Sequence, residues 1–185
     1  MRRRMIALLT TTMLSATVAA GAVPAFGSER DARRSFIAQT DRPTEFFGLT
    51  AAGMPRPELC DPTSSRCLVT FVGFDRFTGT LDGTQANAGA LSVDFATFVG
   101  EGVSLATFTG SVTGCPGSGT ALLRYTVQLG ARPGQNLGTF EVVDGSGTAG
   151  LAGLAGRGSF VATPDYATGA VSTEGRAHLR CARRS

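Results

Sequence analysis

The sequence predicts an all-β protein, an antiparallel meander closed into a barrel of about eight strands, and three observations carry that prediction. Apolar and polar residues alternate with a period of two along several segments, and glycine-containing turn dipeptides punctuate them. Outside the first 25 residues no segment carries a helical stripe. Closure would remove the exposed edges that an open sheet leaves, and an open two-sheet β-sandwich is the alternative.

Residues 1–25 form a separate unit. Arg2, Arg3 and Arg4 precede the apolar run MIALLTTTMLSATVAA, and small residues follow it, the order of a secretory signal peptide with cleavage after Ala22 or Ala25. The run is shorter than the roughly 18–20 residues that cross a bilayer, and no second one occurs, so no transmembrane segment is expected after cleavage and the mature chain is expected outside the cell. The 17 Lys and Arg exceed the 14 Asp and Glu only through these three arginines. Near-neutral charge, with only Arg180, Arg183 and Arg184 concentrated at the tail, does not support nucleic-acid binding. Every Lys/Arg cation is arginine, which excludes Schiff-base chemistry through lysine.

Residues 26–43 are charged and irregular and read as a flexible leader; a single domain is expected over 44–185. PTEFFGLT, at 43–50, suits an edge strand or a cover over one end of the core, with Phe46 and Phe47 packing peripherally or acting as a lid. Four cysteines in an exported chain suggest two disulfides out of three possible connectivities. Cys60 and Cys67 enclose the turn-rich CDPTSSRC, so a local bridge there is preferred, leaving Cys115 with Cys181. Scattered thiols and a lone imidazole, His178, argue against a metal site.

Strands are expected near 68–81, 88–99, 102–113, 119–130, 137–144, 156–163 and 170–181, with 44–50 as an extra. Leu91, Val93, Phe95 and Val99 share one face, as do Ala121, Leu123, Tyr125, Val127 and Leu129, and Val171, Ala177, Leu179 and Cys181. Asp82-Gly83, Glu101-Gly102, Pro116-Gly117, Pro133-Gly134 and Asp144-Gly145 are the expected turns. Phe77-Thr-Gly-Thr-Leu-Asp-Gly83 echoes Phe108-Thr-Gly-Ser-Val-Thr-Gly114, and at the same offset Ala90-Leu91 falls over Ala121-Leu122. A duplicated hairpin and convergence of Thr/Gly-rich strands both account for this.

No catalytic constellation stands out. Gly145-Ser-Gly147-Thr-Ala-Gly150 formally fits a dinucleotide fingerprint, but Gly153, Gly156 and Gly158 interrupt the helix that such a site needs, so a structural turn is the better reading and no cofactor is expected. His178, on the polar face of the last strand between Arg176 and Arg180, reads as solvated rather than as a base. Asp75 is the most informative acid, because it continues the register of Phe71, Phe77 and Leu81 on an apolar face. Desolvation there would raise its pKa and suit it to hold a proton or anchor a ligand. A bulge at Gly73, which is the preferred reading, would instead turn Asp75 into water. Glu141, between Thr139 and Val143, is a weaker case of the same kind. The residues expected to line a cavity are Phe71, Asp75, Phe77, Phe95, Tyr125 and Glu141.

The run GSGTAGLAGLAGRGSF at 145–160, with the upstream Phe-Thr-Gly-x-x-x-Gly turns, resembles the glycine signature of the allene oxide cyclase barrel-like proteins, in particular an uncharacterised bacterial group. The resemblance covers about residues 67–181. It implies an eight-stranded antiparallel calycin-type barrel with a mostly apolar interior. Plant allene oxide cyclases and the related dirigent proteins steer reactive intermediates in a greasy cavity with few catalytic side chains, but none of their functional residues matches a position here. The signal peptide and cysteines depart from the cytosolic bacterial relatives and argue against an intracellular pathway. Two functions are therefore expected: an exported barrel that binds a small apolar ligand or a surface partner, or a cavity isomerase or cyclase acting by confinement. An open interior would favour the small-molecule readings and a filled one would remove them.

Overall fold

The computed structural model describes residues 34–165 and 168–182. The expected signal peptide, the leader up to residue 33, and Arg183 and Arg184 lie outside the described residues. Eight antiparallel strands follow one another around a closed barrel. They are β1 (Ser35–Phe47), β2 (Arg66–Gly79), β3 (Leu81–Asp94), β4 (Val99–Val112), β5 (Gly119–Arg132), β6 (Gln135–Val142), β7 (Ala155–Asp165) and β8 (Ala170–Arg180). Each strand pairs with the next, and β1 closes the cylinder on β8 from Ser35 opposite Arg176 to Gln39 opposite Ser172. The sandwich alternative is thus not adopted: the closing pair leaves no edge strand among the eight.

The barrel has two ends. The β2–β3, β4–β5 and β6–β7 links gather with the start of β1 and the tail after β8 at one end. The β1–β2, β3–β4, β5–β6 and β7–β8 links gather at the other. At the first end the interior is filled by Phe36, Phe77, Leu81, Phe108, Leu123, Phe140 and Val142. The β6–β7 link closes it, tucking Leu151 and Leu154 into the core around a short 3-10 turn at Ala149–Leu151. This is the apparent dinucleotide loop, and it holds no strand-helix-strand unit. It runs along the start of β5 instead, with Thr148 N donating to Thr120 O at 2.9 Å and Gly150 N to Ser118 O at 3.0 Å. A Cβ at Gly150 would come within 2.2 Å of the Gly117 backbone, so glycine is required for the two links to meet.

Glycines across the ladders make room for several of the inward phenylalanines. Phe160 lies opposite Gly138 and Phe140 opposite Gly158 on the β6–β7 ladder, and Phe36 lies opposite Gly175 on the β1–β8 ladder. Each ring occupies the space over its glycine: a Cβ at Gly138 would sit 2.1 Å from the Phe160 ring. The rings then pack edge to face or tilted, Phe77 on Phe108 at 5.9 Å and Phe36 on Phe140 at 5.8 Å between centroids.

Both preferred disulfides form, Cys60–Cys67 at the open rim and Cys115–Cys181 at the closed end. The second joins the β4–β5 link to the residue just after β8, which holds the last strand against the middle of the chain.

Four expectations are corrected. β1 begins at Ser35, inside the segment read as a flexible leader. There Phe36 and Ala38 point into the core, while register shifts around Arg42 accommodate Asp41, Arg42 and Pro43 on the outside, which hides the alternation. Asp82-Gly83 and Glu101-Gly102 are not turns but lie inside β3 and β4. Gly83 faces Gly110 where the two strands come too close for a side chain, and a Cβ at Gly83 would meet Thr109 O at 2.2 Å. Gly73 carries no bulge, since β2 pairs with β3 in unbroken register from Arg66 to Phe77. In the internal echo Phe77 and Phe108 both point inward, but buried Leu123 puts Leu122 on the outer face of β5 while Leu91 lines the interior, so the second match is out of phase.

Candidate functional site

The open half of the barrel encloses a cavity of about 550 Å³. Its walls are the inward positions of the strands: Val69 and Phe71 from β2, Leu91 and Val93 from β3, Val127 and Leu129 from β5, and Phe160 and Ala162 from β7. Phe46, Phe95 and Phe98 stand at the mouth. Phe46 packs on Phe71 at 6.3 Å and Phe95 on Phe98 at 6.1 Å, while Phe46 and Phe98 are about half exposed. Phe98 adopts a left-handed backbone, φ 56°, in the β3–β4 turn, an uncommon conformation for a bulky residue.

A polar group separates the cavity from the packed core. Asp75 on β2, Gln85 and Asn87 on β3 and Tyr125 on β5 all point inward. Asn87 Nδ2 donates to Asp75 Oδ2 at 2.8 Å and Gln85 Nε2 donates to the same oxygen at 3.3 Å. Tyr125 Oη donates to Gln85 Oε1 at 2.5 Å, and its ring packs tilted against Phe140 and edge to face with Phe160. Burial pushes the Asp75 carboxyl up to about 6, the two amide donors offsetting part of the rise. Burial, with the Asp75 charge nearby, holds the Tyr125 phenol well above its usual range. Asn87 Oδ1 is buried and has no hydrogen-bond partner. It faces Gly73, where a Cβ would come within 2.8 Å of it, so glycine at 73 clears the floor of the cavity.

Of the six residues expected around a cavity, Phe71, Asp75, Phe77, Phe95 and Tyr125 line it. Glu141 does not. The inward residues of β6 are Phe140 and Val142, so Glu141 points outward and pairs with Arg124 at 2.9 Å, both more than half exposed. That pair borders a wide groove of mixed lining, to which exposed His178 also contributes. Phe46 reaches the mouth, whereas Phe47, one position on, is half exposed and does not line the cavity. Gln85 and Asn87 were missed. Extending the register of Leu91 and Val93 backwards would have found them, but reading Asp82-Gly83 as a turn delayed the strand start.

Among the described residues no three His, Cys, Asp or Glu side chains group as metal ligands would. A model of the family described as "Protein of unknown function (DUF3224)" matches residues 75–170, more than half of the chain. The chain belongs to the DUF3224 family. The match opens on Asp75 and includes most of the cavity-lining strands. Among solved structures, a protein of unknown function from the DUF3224 family of Shewanella oneidensis MR-1 is similar at 16% identity and a TM-score of 0.51, covering 79% of this chain and 97% of that one. At that identity the likeness speaks for the barrel alone. No curated protein matches the chain. The family shown is DUF3224, and neither match points to allene oxide cyclase in particular.

Proposed function

We propose that this DUF3224 barrel is an exported protein that binds a small apolar ligand in the open half of its interior. The observation that carries the reading is the cavity itself: about 550 Å³, walled mainly by aliphatic and aromatic side chains, with a few polar groups converging at its floor. That size and that lining are typical of small-molecule sites. Export is supported by the basic, apolar and small-residue order at 1–25 and by two disulfides, which persist in oxidising compartments. Among the described residues no helix is long and apolar enough to cross a membrane, which is compatible with that reading. Native mass spectrometry of the protein purified from culture medium tests it. The expected result is a small molecule that travels with the folded barrel and leaves on denaturation. A barrel that is always empty and takes up no apolar dye would rule the reading out.

A second reading, an allene oxide cyclase-like isomerase or cyclase acting by confinement, draws support from one observation. Asp75 and Tyr125 meet through Gln85 at the cavity floor, so a group able to give or take a proton near neutral pH faces an apolar space. Incubation of the co-purified molecule in D₂O separates the two readings. An isomerase that moves a proton through Asp75 incorporates deuterium into carbon, and Asp75→Asn abolishes the exchange. A binder shows no exchange in either form.

A further inference from the structure

Granting the binding reading above, we propose that the cavity selects a hydrophobic amine, whose ammonium head sits against Asp75 and Asn87 while its hydrocarbon body fills the open half of the barrel. The chemistry of the floor drives the choice. Asp75 is the only acidic or basic side chain among the lining residues; Tyr125, the other group that titrates, stays neutral. At the floor one N–H each of Gln85 Nε2 and Asn87 Nδ2 goes to Asp75 Oδ2, and Tyr125 Oη donates to Gln85 Oε1. Two acceptors are left over. Both bonds to the carboxylate converge on Oδ2, which leaves Oδ1 for a ligand, and Asn87 Oδ1 is buried without any partner.

A floor that bears one negative charge beside unpaired acceptor oxygens asks for a ligand that donates and is positive. A buried carboxylate without a cation is costly, and a bound ammonium removes that cost by pairing with it in a low-dielectric surrounding. Phenylalanine faces at the mouth and on the walls are compatible with a passing cation. The same floor repels a carboxylate head, so a fatty acid is the wrong ligand although its tail would fit. A neutral alcohol can donate one hydrogen bond but gains no charge pairing.

Three probes with the same straight hydrocarbon tail, decylamine, decanol and decanoate, test the selection by isothermal titration calorimetry at pH 7.5. The expected order is decylamine tighter than decanol by at least about tenfold, with decanoate weakest. Asp75→Asn should bring the amine-to-alcohol affinity ratio down to about one, with circular dichroism confirming the fold. The wild-type protein supplies a control independent of that variant. Lowering the pH to 5 protonates Asp75, and decylamine should weaken by about tenfold while decanol does not. The groups facing Asp75 from β1 and β3, Thr40, Gln85 and Asn87, do not titrate, and Tyr125 on β5 stays neutral throughout, so the change is assigned to Asp75. Equal binding of decanoate and decylamine, or an amine preference that survives both Asp75→Asn and pH 5, overturns the inference. Decanol binding without an amine preference overturns it while leaving the apolar-ligand reading intact. Failure of all three probes to bind overturns both.

Discussion

The closed and open halves of this barrel are built from the same eight strands and the same inward alternation, yet one is a packed core and the other a cavity. In the closed half the rings of Phe36, Phe77, Phe108 and Phe140 reach one another from facing walls, and Phe36, Phe77 and Phe140 each have a glycine across the ladder. Phe36 touches Phe77 and Phe140 in this way. The β6–β7 link then seals the end with Leu151 and Leu154. In the open half the inward residues are mostly Val, Leu and Ala, too short to meet, with Phe71 and Phe160 on the walls and other large rings at the mouth. The polar group of Asp75, Gln85, Asn87 and Tyr125 marks the border. The difference teaches that one set of strands can build a packed core at one end and leave an open space at the other.

Substitutions that treat the halves differently can break or sharpen that division. The largest contrast is expected between Phe108→Ala, fully buried in the closed half, and Phe95→Ala at the mouth. Urea unfolding should show a loss of about 3–5 kcal/mol for the first and under about 1.5 kcal/mol for the second. Similar losses would mean that the open half is packed as tightly as the closed one. The disulfides should follow the same division. Removing Cys115–Cys181, which closes a 66-residue separation, should cost about 4 kcal/mol, and removing Cys60–Cys67, with a separation of 7, about 2.5 kcal/mol. A rim bridge that mattered more than the closed-end bridge would invert the assignment.

At the border the expected effect has the opposite sign. The Asp75 carboxyl lies near 6 in the folded protein and near 3.8 when unfolded, so above pH 3.8 the unfolded chain releases the proton more readily. The stability this group contributes is therefore complete below about pH 3.8 and lost as pH rises through 6. Asp75→Asn should raise the stability of the empty barrel at pH 7.5, by at most about 2–3 kcal/mol, and flatten the change between pH 4 and 6. A melting-temperature series across that range reads it, and a variant less stable than wild type at pH 7.5 would mean that the carboxylate is structural. The smallest effect is expected outside both halves. Arg124→Ala removes an exposed ion pair with Glu141 and should shift stability by under about 0.5 kcal/mol, measurable in the same unfolding series.

Much of the fold was legible in the sequence because a period of two needs only neighbouring residues to be read. β5 and β8 were placed within a residue or two at each end, with inward faces correctly divided. β1 was not legible, since Asp41, Arg42 and Pro43 interrupt its alternation and its pairing with β2 and β8 makes a strand of it. Thr40 shows the dependence: its hydroxyl accepts from Val171 N at 2.8 Å where the β1–β8 ladder ends. The glycine-laced stretch from Gly138 to Phe160 pointed to the barrel, but the purpose of its glycines depends on what faces them, namely Phe140, Phe160 and Gly117.

The candidate site divides in the same way. Local register alone put Asp75 on an apolar face and Phe71, Phe77, Phe95 and Tyr125 inward. The sequence determined by itself the antiparallel barrel class, the inward faces of β5 and β8 and the cysteine pairing most compatible with a turn-rich loop, because these follow from spacing along the chain. Only the tertiary structure decided that Gly73 carries no bulge, that Glu141 faces outward, and that Gln85 and Asn87 complete the floor beneath an open half-barrel. Those outcomes depend on which residues stand opposite one another across the ladders, and closure of the barrel sets that pairing.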